Sequence, residues 1–128
     1  MNGTMLMAVA LGGALGSVAR HLTTIGAGHW LGAEFPWGTL AVNVVGSALM
    51  GVVIEGSALR WTLNPEWRAF LAVGVLGGFT TFSAFSMEVA ALVERGQTPA
   101  AGLYILGSVA ASLAALFGVM HLLRWAWS

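Results

Sequence analysis

The chain has 128 residues, of which 58% are hydrophobic and 8% charged, whereas soluble domains are about 45–50% apolar and about 25% charged. Five Arg balance five Glu with no Lys or Asp, so no basic surface suits nucleic acid. The lack of cysteine excludes disulfides, thiolate metal sites and a cysteine nucleophile.

Polar interruptions divide the chain into four stretches of roughly the 20 residues a bilayer requires. The prediction is a single four-helix transmembrane domain over residues 1–128. The segment Met1-Asn2-Gly3-Thr4 carries no positive residue, and the apolar run after it exceeds signal-peptide length. The first span, about Met5 to Ala27, is therefore expected to stay uncleaved. Its Gly12, Gly13, Gly16 and Ser17 form a small-residue face along which a second helix can approach. Arg20 falls about 22 Å along this helix at 1.5 Å per residue. That is inside a core about 30 Å thick but within snorkelling reach of the far surface. It is a functional candidate or an interfacial anchor.

The loop from Gly28 to Trp37 carries Trp residues suited to a membrane surface, and Pro36 suits the first turn of the next helix. His21 and His29 read as interfacial, since no carboxylate cluster accompanies them. In the second span, about Trp37 to Ala58, Thr39, Asn43 and Ser47 stand at i, i+4 and i+8 on one face. An amide at the depth of Asn43 must find partners, either on another helix or along a polar pathway.

Asn64, Pro65 and Glu66 resemble a helix start and open the third span, about Trp67 to Val93. Within it, in the stretch Gly74 to Glu88, three glycines (Gly74, Gly77 and Gly78) followed by Thr80 and Thr81 form the weakest helical part, and an interruption is predicted there. Freed backbone groups have no water to bond in hydrocarbon, so a break survives only if buried in protein or lining a wet site. Gly74 and Gly78 also make a GxxxG pair, a close-packing patch. Beyond the break, Phe82 and Phe85 share a face, with Glu88 one turn on. Glu88 and Arg20 lie towards the same surface, where they could pair or flank a vestibule. Gly96 and Pro99 mark the next turn. In the last span, about Ala100 to Trp125, Tyr104, Ser108 and Ser112 recur every fourth residue as a hydroxyl track. Arg124, Trp125 and Trp127 read as interface anchors.

Arg60, Arg68 and Arg124 fall on one side of the membrane. Arg95 falls on the other, with Arg20 if it snorkels there. Three against two is almost no positive-inside bias, so insertion in both directions is expected, and an antiparallel pair of copies could form.

The segments Gly16 to Arg20, Gly38-Thr39-Leu40-Ala41-Val42-Asn43-Val44-Val45-Gly46, and Gly77-Gly78-Phe79-Thr80-Thr81-Phe82-Ser83-Ala84-Phe85 with Glu88 resemble the Fluc (CrcB) fluoride channels. With four spans and flat charge bias, the resemblance covers essentially the whole chain. It implies an all-α, dual-topology antiparallel homodimer in the bacterial inner membrane. The dimer would export fluoride passively and selectively through two pores, with a central structural sodium ion. It implies that Gly77 and Thr80 offer carbonyls to that sodium. It further implies that Phe82 and Phe85 line the pores, that Asn43 donates to fluoride, that Thr39, Tyr104, Ser108 and Ser112 add donors, and that Arg20 and Glu88 sit in a vestibule.

Two rival readings remain. A small proton-coupled multidrug-type exporter needs an embedded carboxylate, but the first span has no acid and Glu55 and Glu88 fall near span ends. A structural membrane subunit would leave the hydroxyl register beside Asn43 unexplained. No nucleophile–base pair or metal cluster is visible, so no enzyme is expected.

Overall fold

The computed structural model describes residues 2–127. Helix α1 spans Gly3–Leu31, α2 Trp37–Leu59, α3 residues 65–79, α4 Ser83–Glu94 and α5 Thr98–Trp127. Four segments are long and apolar enough to cross a membrane, with α3 and α4 as two halves of the third, Pro65–Glu94. Most large apolar side chains, Leu15, Leu22, Val73 and Leu103 among them, face outward, as they must where the surroundings are lipid.

The helix ends are set by local chemistry. Asn64 caps α3 as expected, its side chain accepting from Trp67 N–H at 2.9 Å. Gly96 adopts φ 77° after α4. There Gln97 N–H donates to Leu92 O at 2.8 Å and Gly96 N–H to Val93 O at 3.0 Å, the paired closure in which a left-handed residue is almost always Gly. Two boundaries differ from the sequence reading. Residues 28–31 continue α1 instead of forming loop, because the chain turns only at Gly32, φ 88°. Pro36 stands immediately before α2 instead of inside its first turn.

Small residues decide the packing. The face predicted on α1 receives α3. A Cβ on Gly12 would come within 2.5 Å of Phe70 O and 2.9 Å of Val75 N, and one on Gly78 within 2.7 Å of Gly13 O. The Gly74–Gly78 patch is thus a helix contact and also the approach to a break. Between α2 and α5, Gly51 plays the same part, since a Cβ there would come within 2.8 Å of Leu116 O. Close backbone approach is how transmembrane helices gain dispersion energy when lipid is as apolar as Leu. A small core of Phe85, Leu92, Ala101 and Tyr104 joins α4 to α5.

The third crossing is interrupted as expected. Residues Ala69–Leu76 are wound as a π-helix, a wider turn that the sequence reading did not anticipate. Gly77–Phe79 return to α geometry, and Thr80 is then extended at φ −87°, ψ 161°. Helix α4 resumes at Ser83.

Candidate functional site

A break leaves the last carbonyls of α3 and the first N–H groups of α4 without helical partners, and the surrounding side chains take up several of them. Asn43 on α2 binds both backbone groups of Thr81. Its Oδ1 accepts from Thr81 N–H at 2.8 Å, and its Nδ2 donates to Thr81 O at 3.1 Å. Thr81 Oγ1 in turn accepts from Ala84 N–H at 3.1 Å, as an N-capping hydroxyl does. Arg20 Nε–H donates to Gly78 O at 3.1 Å. Helical side chains lean towards the N-terminus. Arg20 therefore reaches back over the turn carrying Ser17, against which Gly78 packs.

In an unbroken helix, Thr81 N–H would bond Gly77 O, and Ala84 N–H would bond Thr80 O. Both donors are diverted, to Asn43 Oδ1 and Thr81 Oγ1. The Gly77 and Thr80 carbonyls thereby lose their i+4 partners. Gly77 is exposed and Thr80 half-buried on the bundle's outer side. Hard carbonyl oxygens released in this way suit a small cation such as sodium, so the donor set fits the expected ion.

Beside the break lies an open groove of about 540 Å³. It brings together Asn43, Ser47, Thr80, Phe82, Ser108 and Ser112 from α2, the break and α5, with Phe85 at its edge. Phe82 is 77% exposed and Phe85 only 8%; their ring centroids are 5.5 Å apart. Ser108 Oγ is buried with no protein partner. Asn43 uses one of its two amide hydrogens on Thr81, which leaves the other available. Polar groups gathered on the outer face of a membrane bundle cannot be satisfied by acyl chains.

The hydroxyl track divides in the structure. Ser108 and Ser112 line the groove, while Tyr104 O–H donates to Glu88 Oε2 at 3.4 Å. Thr39 Oγ1–H donates to Glu88 Oε1 at 2.5 Å. Phe85 stands between the two groups, its ring 5.0 Å from that of Tyr104. Thr39 and Glu88 also border a second hollow of about 250 Å³, with Gly32, Trp37 and Arg95, at the end of the bundle where α1 and α4 finish. Donors and aromatic rings thus run from the break towards that surface.

Arg20 and Glu88 do not pair: Arg20 is held at the break and Glu88 by Thr39 and Tyr104. The sequence reading missed two features. Thr81 is both the clamped residue and, through its hydroxyl, the acceptor for Ala84 N–H at the start of α4. Glu55, expected near a span end, is buried and accepts from Arg124 at 2.5 Å, so Arg124 is an ion-pair partner and not only an anchor. The signal available for that pair was an acid and a base at the same-side ends of the second and fourth spans. Among the described residues, no group of three His, Cys, Asp or Glu could hold a metal.

The family described as "CrcB-like protein, Camphor Resistance (CrcB)" matches residues 7–120. A protein of Rhodospirillum centenum named "Fluoride-specific ion channel FluC" is 56% identical over 122 residues, covering 95% of this chain and 97% of the relative. A protein of the same name from Nitrobacter winogradskyi is 51% identical over 124 residues, 97% and 98% of the two chains. Another from Agrobacterium fabrum is 50% identical over 116 residues, covering 91% and 93%.

Proposed function

The chain belongs to the CrcB family, and from that premise we propose that it is a passive, fluoride-selective channel of the bacterial inner membrane, not an enzyme. The observation that carries this reading is the groove at the broken crossing, where hydrogen-bond donors and phenyl rings share the outer face of the bundle. Fluoride is small and strongly hydrated, so a route through hydrocarbon has to replace its water with N–H and O–H groups. Asn43, Ser108 and Ser112 supply such groups beside the break, with Thr39 and Tyr104 further along. A phenyl ring is positive at its edge and negative on its face, so Phe82 and Phe85 can solvate an anion edge-on. Helix α4 also begins at the groove, and a helix N-terminus carries partial positive charge. Carboxylates are absent from the groove lining. Glu88, which borders the second hollow, is engaged by two hydroxyls.

The groove is open on one side and lined with polar groups that lipid cannot satisfy, which supports a second copy as its cover. An antiparallel homodimer would bring two grooves and two breaks together, giving two pores, and the near-absent charge bias permits both insertions. The carbonyls of Gly77 and Thr80 from both copies would hold the sodium ion, whose charge would offset the cost of bringing an anion into low dielectric. Outward flow would follow whatever fluoride gradient the cell maintains.

The test is flux from liposomes loaded with fluoride or chloride. Purified protein should dissipate a fluoride gradient without proton coupling and leave chloride almost untouched. Proton-coupled fluoride movement with no uncoupled current would favour the exporter, and equal chloride flux would defeat the selectivity.

A further inference from the structure

The geometry points to Arg20 as a positioning residue: its Nε–H holds the end of α3 in the interrupted form through the carbonyl of Gly78, and the donor matters there more than the positive charge. The inference deepens the channel reading and rests on it for its functional arm. Three observations support it. Arg20 Nε lies 3.1 Å from Gly78 O across 58 residues of sequence, a contact between helices and not a local one. Gly78 lies between Gly77 and Thr80, whose carbonyls have lost their helical partners, so the bond fixes the backbone from which both project. Asn43 holds the other side of the break at Thr81, and Arg20 and Asn43 come from different helices, α1 and α2. The extended turn at Thr80 is thus gripped from both sides. A basic side chain at a helix C-terminus also takes an orphan carbonyl and complements the dipole there.

Side-chain connectivity separates this role from electrostatic attraction of an anion. In Gln, Nε2 follows Cδ as Nε does in Arg, so R20Q keeps an N–H at that position and loses the charge. In Lys, the same position is a methylene carbon and the nitrogen lies one bond further, so R20K keeps the charge and displaces the donor. R20M has neither. The experiment measures amide exchange over residues 79–84 and fluoride efflux for wild type and these three variants, all reconstituted in the same lipid.

Positioning predicts that R20Q stays within about threefold of wild type in both readouts. R20K and R20M should lose about tenfold or more in protection and in flux, the scale expected when a sheltered carbonyl is left without its side-chain donor. The inference is overturned if R20K matches wild type while R20Q loses flux, which assigns the charge the work. It is also overturned if all variants exchange like wild type. Wild type that carries no fluoride would sink the channel reading alone, and the order of exchange rates would still decide the role of Arg20.

Discussion

Replacing Asn43 by Leu tests how the break is maintained. The substitution nearly conserves volume and removes two bonds at once, the 2.8 Å acceptance from Thr81 N–H and the 3.1 Å donation to Thr81 O. Side-chain hydrogen bonds in membranes average about 0.6 kcal/mol and reach about 1.7, because the unfolded chain also finds partners in the bilayer. Leaving a sheltered backbone group without a partner costs about 1–3 kcal/mol. Both lost bonds belong to one residue and relax together, which puts the expected cost at about 2–3 kcal/mol. At 1.4 kcal/mol per tenfold, the interrupted conformation loses about 30- to 140-fold in local equilibrium. Unfolding in a detergent titration should therefore shift to lower denaturant, exchange at the Thr81 amide should accelerate, and fluoride efflux should fall below about a tenth of wild type. Asn43→Asp should do less damage to the fold, since its carboxylate still accepts from Thr81 N–H, but it places an acceptor against Thr81 O and a negative charge in the anion's path. A Leu variant that unfolds where wild type does, with Thr81 still protected, would refute the clamp.

Phe82→Ile and Phe85→Ile should both reduce fluoride flux, yet only Phe85→Ile should lower stability, by about 1–2 kcal/mol, because Phe82 is exposed and Phe85 is packed against Tyr104; equal stability losses would contradict the placement of the two rings. Gly12→Ala should cost about 1–3 kcal/mol through forced overpacking, since its Cβ would meet Phe70 O, whereas Gly13→Ala meets nothing within 4 Å and should be close to neutral in the same detergent titration. Arg124→Met should destabilise more than Glu55→Gln. The first strands a buried carboxylate, whereas the second frees an arginine that is already half exposed; the reverse order would mean that Glu55 is satisfied by other groups.

The fold was legible because its determinants are compositional. Four apolar runs, capping residues such as Asn64 and a glycine face on the first span each follow from one-dimensional pattern, and the observed helices fall close to those limits. Even the break was readable, as a weak helical stretch where hydrocarbon punishes any weakness. What one dimension cannot show is which orphaned group meets which side chain. Asn43 could be recognised as an amide in need of partners, but the choice of Thr81 depends on how α2 crosses the third span. Gly46 lets the Thr80 side chain approach there. The Tyr104, Ser108 and Ser112 spacing predicted one continuous track; in the structure Tyr104 packs on Phe85 and bonds Glu88, while the two serines line the groove.

Arg20 shows the same limit most clearly. Depth along the helix allowed either snorkelling to water or a place inside the membrane, and those alternatives differ by the availability of an acceptor. In an intact third helix the Gly78 carbonyl would already accept from Phe82 N–H, leaving only its second lone pair for Arg20. Interruption at Gly77–Thr81 frees the Gly78 carbonyl to which Arg20 donates, and the same interruption requires Asn43 at Thr81. Arg20 and Asn43 therefore gain partners from the break as the break gains partners from them. It follows that restoring a continuous helix, for example by Gly77→Ala combined with Thr80→Leu and Thr81→Leu, should not yield a more stable protein. The gain in helix propensity would be offset by stranding Arg20 and Asn43, whose polar groups would face hydrocarbon without partners.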